Sequence, residues 1–379
     1  MANYRILLLG GGSGGHVFPL VAVANALKEK SEQNGISLEL MILGEGKFIA
    51  KAATDAGLNF QSILAGKLRR YFSLLNVLDI FKVLIGFFQA LWHIFWFMPD
   101  VVFAKGGYAS LSGAFVAKLY FIPLFVHESD SIPGLANRIL GRLAKTVFIS
   151  FASSDKYFKT GKTVLTGNPV RKELVSGDKS TGIQSFGLNP NLKTVLVLGG
   201  SQGAQRINQI VLESIVLMTK EFQVIHQCGE SQHKAVKAEE DKIIKEGQGE
   251  YSDTVKMNYK LYPFFSEKEL AMAYAVSDVI VSRAGAGSLF EIAALGKPAI
   301  LIPLSTNASR GEQITNALEF SKFGASMIEE ENLTPHILIN QINSLLQPEK
   351  YNTVSQNLKT LAMPDAAEKI ALVLLTSQS

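Results

Sequence analysis

Apolar and polar positions along this chain fall into two kinds of run. Arg5 to Leu9 is short and almost continuously apolar, as a strand buried on both faces is. Gly10 to Gly15 breaks the run, and from Pro19 to Lys28 the apolar residues return at helical spacing. Leu38 to Leu43 is apolar again. This strand–turn–helix–strand opening predicts a doubly wound parallel sheet, with further strands at Val101 to Ala104, Leu124 to His127 and Thr146 to Ile149. The pattern then restarts. Thr194 to Leu198 reads as a strand, Gly199-Gly200-Ser201-Gln202-Gly203 as a turn, Arg206 to Met218 as a helix and Phe222 to Gln227 as a strand. Later come a strand at Asp278 to Ser282, a turn at Arg283 to Ser288, a helix at Leu289 to Leu295 and a strand at Ala299 to Ile302. The expected fold class is α/β, with a Rossmann-like half built twice. The architecture repeats; the residues do not.

The join is expected at Gly167-Asn168-Pro169-Val170-Arg171, where Pro fixes the chain and Gly and Asn permit a turn. That divides the chain into 1–166, 167–350 and a C-terminal piece 351–379. The helix of the last piece, Asp365 to Thr376, is expected to pack back on the first domain. A length of 379 residues suits two cores. With 47% hydrophobic and 18% charged residues the chain is globular rather than disordered. Its 37 basic and 33 acidic side chains leave a net charge of +4, too mild to argue for nucleic acid but compatible with an anionic membrane surface or phosphorylated substrates. The single cysteine, Cys228, allows no disulfide within the chain and points to a reducing compartment. The first residues lead at once into a strand without a signal-peptide pattern, so a cytoplasmic location is expected.

Residues 67–98 stand apart. A basic opening, Lys67-Leu68-Arg69-Arg70-Tyr71-Phe72, leads into Val83 to Met98, which carries no formal charge and is rich in Phe and Trp. The uncharged part is shorter than the ~20 residues of a spanning helix, and Gln89 and His93 interrupt it. A core helix of the first domain is one reading. So many aromatics exceed what one core face needs, which favours an interfacial patch beside an anionic membrane.

Four clusters carry candidate chemistry. Gly10-Gly11-Gly12-Ser13-Gly14-Gly15-His16 lets backbone approach a phosphate at a helix N-terminus. Gly10, Gly12 and Gly15 also satisfy G-x-G-x-x-G, and with Glu45 as a ribose acid they leave an NAD enzyme open. His16, a titratable imidazole where the helix begins, suits proton transfer better than cofactor packing. The Gly199 to Gly203 turn repeats the physics and adds the Ser201 hydroxyl. In Ser282 to Glu291, small residues turn from a strand into a helix whose N–H groups suit a diphosphate, and Glu291 is placed to take ribose hydroxyls. Arg310-Gly311-Glu312-Gln313 precedes another helix, and Gln313 is a candidate sugar ligand. There is no D-x-D metal–diphosphate clamp and no Cys/His metal spacing, so no metal or cofactor is expected to be required.

Gly10 to Pro19, Gly199 to Ala204, Arg283 to Glu291, Lys105-Gly106-Gly107-Tyr108 and His127-Glu128 together, in this order over nearly the whole chain, resemble the bacterial peptidoglycan N-acetylglucosaminyltransferases of glycosyltransferase family 28. The resemblance implies a GT-B fold, two Rossmann-like domains facing across a cleft. It implies UDP-N-acetylglucosamine as donor, lipid I as acceptor and lipid II as product, with inversion at the sugar carbon. A related GT-B enzyme acting on another membrane lipid, such as diacylglycerol, is the alternative. It also implies work on the cytoplasmic face of the cell membrane, in cell-wall synthesis, with other cell-wall proteins as further partners. Carried over by position, Ser201 and the backbone of Ala286, Gly287, Ser288, Leu289 and Phe290 hold the diphosphate. Glu291 binds the ribose, Arg171 lies near the nucleotide and Gln313 touches the sugar. Ser13, Gly14 and Gly15 line the acceptor side. His16 is the first candidate base and Glu128 the second. Two positions depart from the family. Asp130 stands where the family uses an amide at the sugar, and it shares candidacy for the base, since a carboxylate accepts but does not donate. Glu312 stands where a second Gln is common, and Phe264 and Phe265 do not align with the family's uracil pocket.

Overall fold

The structure is a computed structural model and describes residues 3–12, 14–66, 75–200, 203–247, 249–306, 309 and 311–377. It forms two compact units, one of residues 1–170 with 363–379 and one of residues 171–362. The expected joins were 166/167 and 350/351. The helix Pro348–Thr360 belongs to the second unit because Val354 and Leu358 are buried there and Val354 fills the space beside Gly324. The helix Ala366–Leu375 belongs to the first, where Ile370, Ala371 and Leu374 join the core and Tyr4 Oη donates to Leu374 O at 2.8 Å.

The first unit is a seven-stranded parallel sheet: β1 (Tyr4–Gly11), β2 (Leu38–Glu45), β3 (Asn59–Ser62), β4 (Val101–Ala104), β5 (Leu124–Glu128), β6 (Thr146–Ile149) and β7 (Thr163–Leu165), in the order β3-β2-β1-β4-β5-β6-β7. Side chains alternate across a strand. Ile6 and Leu8 therefore enter one core cluster, under the helices Gly14–Gln33 and Ala366–Leu375. Leu7 and Leu9 enter the other, under Leu75–Phe97, Tyr108–Leu119 and Leu135–Leu143. The second unit is a six-stranded parallel sheet: β8 (Lys193–Leu198), β9 (Phe222–Gln227), β10 (Tyr259–Tyr262), β11 (Val279–Ser282), β12 (Ala299–Leu301) and β13 (Ser326–Met327), in the order β10-β9-β8-β11-β12-β13.

The strand order reverses between β1 and β4, and again between β8 and β11. Successive crossovers diverge there, leaving a crevice at the carboxyl ends of the strands. All the glycine-rich clusters singled out in the sequence lie at those ends.

The helix Leu75–Phe97 is longer than Val83 to Met98 and includes Asp79 and Lys82. Ala90, Ile94 and Phe97 are buried at helical spacing, whereas Phe81, Leu84, Phe88, Trp92, Phe95 and Trp96 are exposed. It is thus a core helix on one face and an uncovered apolar surface on the other. Gln89 Oε1 accepts from Leu64 N–H at 2.8 Å, so this polar interruption ties the helix to the strand exit. Lys67 to Phe72 lie outside the described residues. No helix among the described residues is long and apolar enough to cross a membrane.

Gly44 is the tightest point between β1 and β2: a Cβ there would lie 2.1 Å from the Gly10 carbonyl oxygen. The obstacle is main chain inside the sheet, so little can give. Overpacking costs ~1–3 kcal/mol, and Gly44→Ala is expected at the upper end, lowering the melting midpoint on the order of 5–10 °C. Thermal unfolding followed by circular dichroism checks this; an unchanged midpoint contradicts it.

Candidate functional site

In the first unit β1 ends in the glycine turn, and the following helix begins at Gly14, earlier than the Pro19 the periodicity suggested. Ser13 lies outside the described residues. Gly14 and Gly15 open the helix, and His16 occupies its first turn. β4 ends beside it: Lys105 N–H donates to Leu9 O at 2.9 Å. Gly106 and Gly107 take positive φ of 105° and 84°. A Cβ on Gly106 would meet the Asn137 amide at 2.6 Å, so a side chain there would displace the amide that organises β5.

That amide matters because of Glu128. Asn137 Nδ2 donates to His127 O at 3.1 Å and to Glu128 Oε2 at 2.9 Å. Gly134 N–H reaches the same oxygen at 3.2 Å, and Asp130 N–H donates to Glu128 Oε1 at 2.9 Å. Both carboxylate oxygens are engaged and the side chain is only 3% exposed. Burial, reinforced by Asp130, pushes its pKa up to about 7, against the pull of the Asp130 N–H, Asn137 and Lys105. Glu128 therefore anchors the turn from 128 to 134 as well as being a titratable group. His127 Nε2 bonds to Gly167 O at 3.0 Å, and burial holds this ring well below its usual range and neutral.

His16 is better placed for proton transfer. The residue is partly exposed, while its Nδ1 is enclosed without a hydrogen-bond partner among the described residues. Burial, then the Lys105 charge, bring its pKa down to about 4 against the pull of the Lys105 backbone. At pH 7 the neutral imidazole outnumbers imidazolium roughly a thousandfold, so the ring is uncharged, with the low basicity that such a pKa brings. Asp130 is partly exposed at the same edge of the sheet and has partners of its own. Lys105 was quoted in the sequence only as part of a glycine motif. The structure buries it to 1% exposure, with its ammonium donating to Ser129 Oγ.

In the second unit Gly199 N–H donates to Gln227 O at 2.9 Å and Gly203 N–H to Gly200 O at 3.2 Å. Gly203 has φ 79°, and a Cβ would lie 2.5 Å from Cys228 O, so the turn requires glycine there. Ser201 and Gln202 lie outside the described residues, as does Arg310.

The helix after β11 spans Ala286–Leu295, three residues earlier at its start than the sequence suggested. Glu291 consequently sits in the second turn, not the first. No side chain caps the start, and Leu289 N–H already bonds to Gly285 O at 3.1 Å. The N–H groups of Ala286, Gly287 and Ser288 have no partner within the helix, as a helix start that can receive an anion requires. Leu289 and Phe290 are different: their side chains are buried at 0% and 4% exposure, and Phe290 packs edge-on against Phe320. Their side chains support the turn from the core, and what the sequence assigned to the diphosphate at these two positions is backbone.

Arg171 and Glu291, far apart in the chain, meet: Nη2 to Oε1 is 3.2 Å. Tyr274 Oη donates to the other oxygen at 2.8 Å, and Arg171 Nη1 also reaches Glu267 at 3.2 Å. Burial raises the Glu291 pKa; Arg171 and Tyr274 oppose that. The carboxylate is thus oriented before any ligand arrives. Tyr274, fully buried in a helix, gave no sequence signal of this task. Gln313 Oε1 accepts from Leu304 N–H at 3.1 Å, which directs its amide group away from that loop. Among the described residues no three His, Cys, Asp or Glu side chains gather where they could hold a metal ion.

Two Rossmann-like units, each with a small-residue turn at its switch point, are the architecture of GT-B nucleotide-sugar glycosyltransferases. Residues 6–149 match the glycosyltransferase family 28 N-terminal domain and residues 194–370 the glycosyltransferase family 28 C-terminal domain. A Clostridium perfringens (strain SM101) protein named UDP-N-acetylglucosamine–N-acetylmuramyl-(pentapeptide) pyrophosphoryl-undecaprenol N-acetylglucosamine transferase is 40% identical, over 91% of each chain. A Legionella pneumophila (strain Paris) protein of the same name is 36% identical, over 97% of this chain and 96% of that one. Among solved structures, Acinetobacter baumannii MurG superposes with a TM-score of 0.71 at 23% identity, covering 99% of both chains. A UDP-GlcNAc 2-epimerase from Neisseria meningitidis gives 0.67 at 16%, covering 98% of this chain and 99% of that one. At those identities the two structures speak for the fold alone. The sequence relationship is closer: the chain belongs to glycosyltransferase family 28.

The His16 ring is expected to titrate near pH 4 in the free protein, its C–H resonances showing no protonation between pH 8 and 6. A midpoint near the ordinary 6.5 in a proton NMR titration contradicts the site as described.

Proposed function

We infer that this chain transfers N-acetylglucosamine from UDP-N-acetylglucosamine to lipid I, the undecaprenyl-pyrophosphoryl N-acetylmuramyl-pentapeptide, forming lipid II. The observation that carries this is near full-length identity to relatives named for that reaction, together with the different equipment of the two switch points. The second unit offers N–H groups for a diphosphate and an oriented carboxylate for a diol, and is read as the donor side. The first offers a neutral imidazole and is read as the acceptor side.

The reaction then runs as a single displacement. The acceptor hydroxyl oxygen bonds to the anomeric carbon from the face opposite the diphosphate, whose C–O bond breaks, and the configuration inverts. The hydroxyl proton passes to His16 Nε2. The electron pair of the broken bond leaves with UDP, and the developing charge meets the Ala286, Gly287 and Ser288 N–H groups. Ser201 joins them on the diphosphate, Glu291 takes the ribose hydroxyls and Arg171 fixes Glu291. Gln313 directs its amide to the sugar, and Gly14, Gly15 and Ser13 give the acceptor diphosphate a helix N-terminus. Asp130 contacts the sugar only as an acceptor. Glu128, with both oxygens engaged, is the weaker candidate base. Because N–H groups and the helix dipole supply the positive field, transfer needs no added cation.

A radiolabelled-sugar assay with lipid I and diacylglycerol as competing acceptors tests the reading. Label is expected on lipid I, also in EDTA, and label on diacylglycerol alone overturns the assignment. His16→Ala should lower turnover ~10²–10⁴-fold with little change in donor KM. The base must be unprotonated, so the rate falls as pH drops through its pKa: through about 4 for His16, through about 7 for Glu128. A limb near 7 would transfer the role to Glu128.

We also place the chain peripherally on the cytoplasmic face of the membrane. The uncovered face of Leu75–Phe97 supports this, extended by Phe115, Leu119 and the 90% exposed Phe121 on and after the helix packed beside it. A lone, reduced Cys228 suits that compartment. Exposed aromatics bury ~150 Å² or more each in an interface, so Trp92→Ser with Trp96→Ser should weaken binding to phosphatidylglycerol vesicles at least about tenfold. Wild-type binding should also weaken with salt. No wild-type binding at low salt would sink the membrane reading.

A further inference from the structure

Tyr274 lies in the helix Glu267–Val276 of the second unit and is fully buried. Its Oη donates to Glu291 Oε2 at 2.8 Å. Arg171 Nη2 donates to the other oxygen, Oε1, at 3.2 Å, and Arg171 Nη1 reaches Glu267 Oε1 at 3.2 Å. The side chains thus form one line, Glu267–Arg171–Glu291–Tyr274, whose two ends belong to the same helix. Residues seven apart share a helix face, two turns from each other. The helix itself is fixed at its start by a reciprocal cap: Glu269 N–H donates to Ser266 Oγ at 3.3 Å and Ser266 N–H to Glu269 Oε2 at 2.8 Å.

The Arg171 guanidinium is shared between two carboxylates, so the line keeps a negative charge in surplus. The second oxygen of Glu291 is met by a hydroxyl and not by a second cation. A neutral donor orients that oxygen without cancelling its charge. An ionised carboxylate offers about four acceptor positions. Among the described residues Arg171 fills one on Oε1 and Tyr274 one on Oε2, and 12% of the side chain stays exposed. One acceptor position per oxygen is left for a ligand. Two acceptors held in one plane suit two neighbouring hydroxyl donors and repel a phosphate. The terminal torsion of a glutamate is soft, so Arg171 alone would hold one oxygen and let the other swing. The phenol fixes the second. Burial, then the Glu291 charge, keep that phenol protonated.

We propose that Tyr274 is a specificity-determining positioning residue: by holding Glu291 Oε2 it makes the carboxylate a receptor for two hydroxyls, so that the chain takes a ribonucleoside diphosphate in preference to its deoxy forms, without the tyrosine touching the ligand. The direct bond, the full burial of the phenol and the return of the line to a single capped helix carry this. The proposal rests on reading Glu291 as the ribose ligand, and it deepens that reading.

The test measures binding of UDP, 2′-deoxy-UDP and 3′-deoxy-UDP to the full chain by calorimetry, in wild type and in Tyr274→Phe, which removes only a buried hydroxyl. Wild type should prefer UDP to each deoxy form by about tenfold or more. Tyr274→Phe should weaken UDP about tenfold and reduce at least one of the two preferences about threefold or more. UDP weakened with both preferences kept within about twofold marks a merely structural role and overturns the proposal, as does UDP binding left unchanged. If Tyr274→Phe does not fold, carbon NMR of the wild-type chain labelled at tyrosine Cζ decides. At saturation the Tyr274 resonance should move with UDP and not with 2′,3′-dideoxy-UDP, and an equal response to both overturns the proposal. A wild-type chain that binds UDP without preferring it to either deoxy form defeats this proposal alone. One that binds no UDP defeats the functional reading with it.

Discussion

In each unit the first strand of the sheet has its successor on one side and, on the other, a strand reached only after the chain has crossed back. The crossover helices on the two sides diverge from that line, so backbone at the carboxyl ends of β1 and β4, and of β8 and β11, is left without a helix above it. Buried polar groups need partners, and a crevice at strand ends is where unpaired N–H groups and a ligand can satisfy each other. The glycine turns, His16, Lys105 and the Ala286 helix start all belong to one of these two lines, and Glu128 ends the next strand, β5. Close packing beneath them depends on it too: the carbonyl of Gly10 can sit against Gly44 only because Gly44 has no side chain.

The two lines differ in electrostatics. In the second unit the charges are matched within the protein. Arg171 meets Glu291 and Glu267, and Tyr274 completes the Glu291 carboxylate. Such a site is rigid before binding, which spares a ligand the cost of ordering it. In the first unit burial dominates. It drives two imidazoles neutral and raises a carboxyl pKa. On the proposed reading one line holds an anion and the other takes a proton, the two demands of a glycosyl transfer from a nucleotide sugar.

The helix Leu75–Phe97 shows a third use of the same fold. Its buried side is an ordinary layer of the first core, at the spacing that packs a helix on a sheet. Its other side exposes rings that no neighbour among the described residues covers. Large exposed apolar surfaces of that kind are commonly interaction sites, and the membrane placement proposed above draws on this one. It lies on the unit assigned to the lipid-linked acceptor.

The sequence by itself determined the central strands and the turns that follow them. A parallel strand covered on both faces must be apolar throughout, and backbone that approaches a phosphate must lack Cβ, so both features are written locally in residue type. The edge strands β3, β7, β10 and β13 escaped it. They are short, and half-exposed positions such as Asn59 to Ser62 or Thr163 to Leu165 carry no apolar run. Only the tertiary structure decided the chemistry of the candidate residues. The sequence offered Glu128 as a candidate base and Glu291 as a ribose ligand but gave neither its partners; one is locked by Asn137 and backbone N–H groups and the other by Arg171 and Tyr274. Lys105 read as part of a glycine motif until folding buried it beside His16. Protonation and orientation depend on desolvation and on charges brought from distant positions, and no local pattern of residues encodes those.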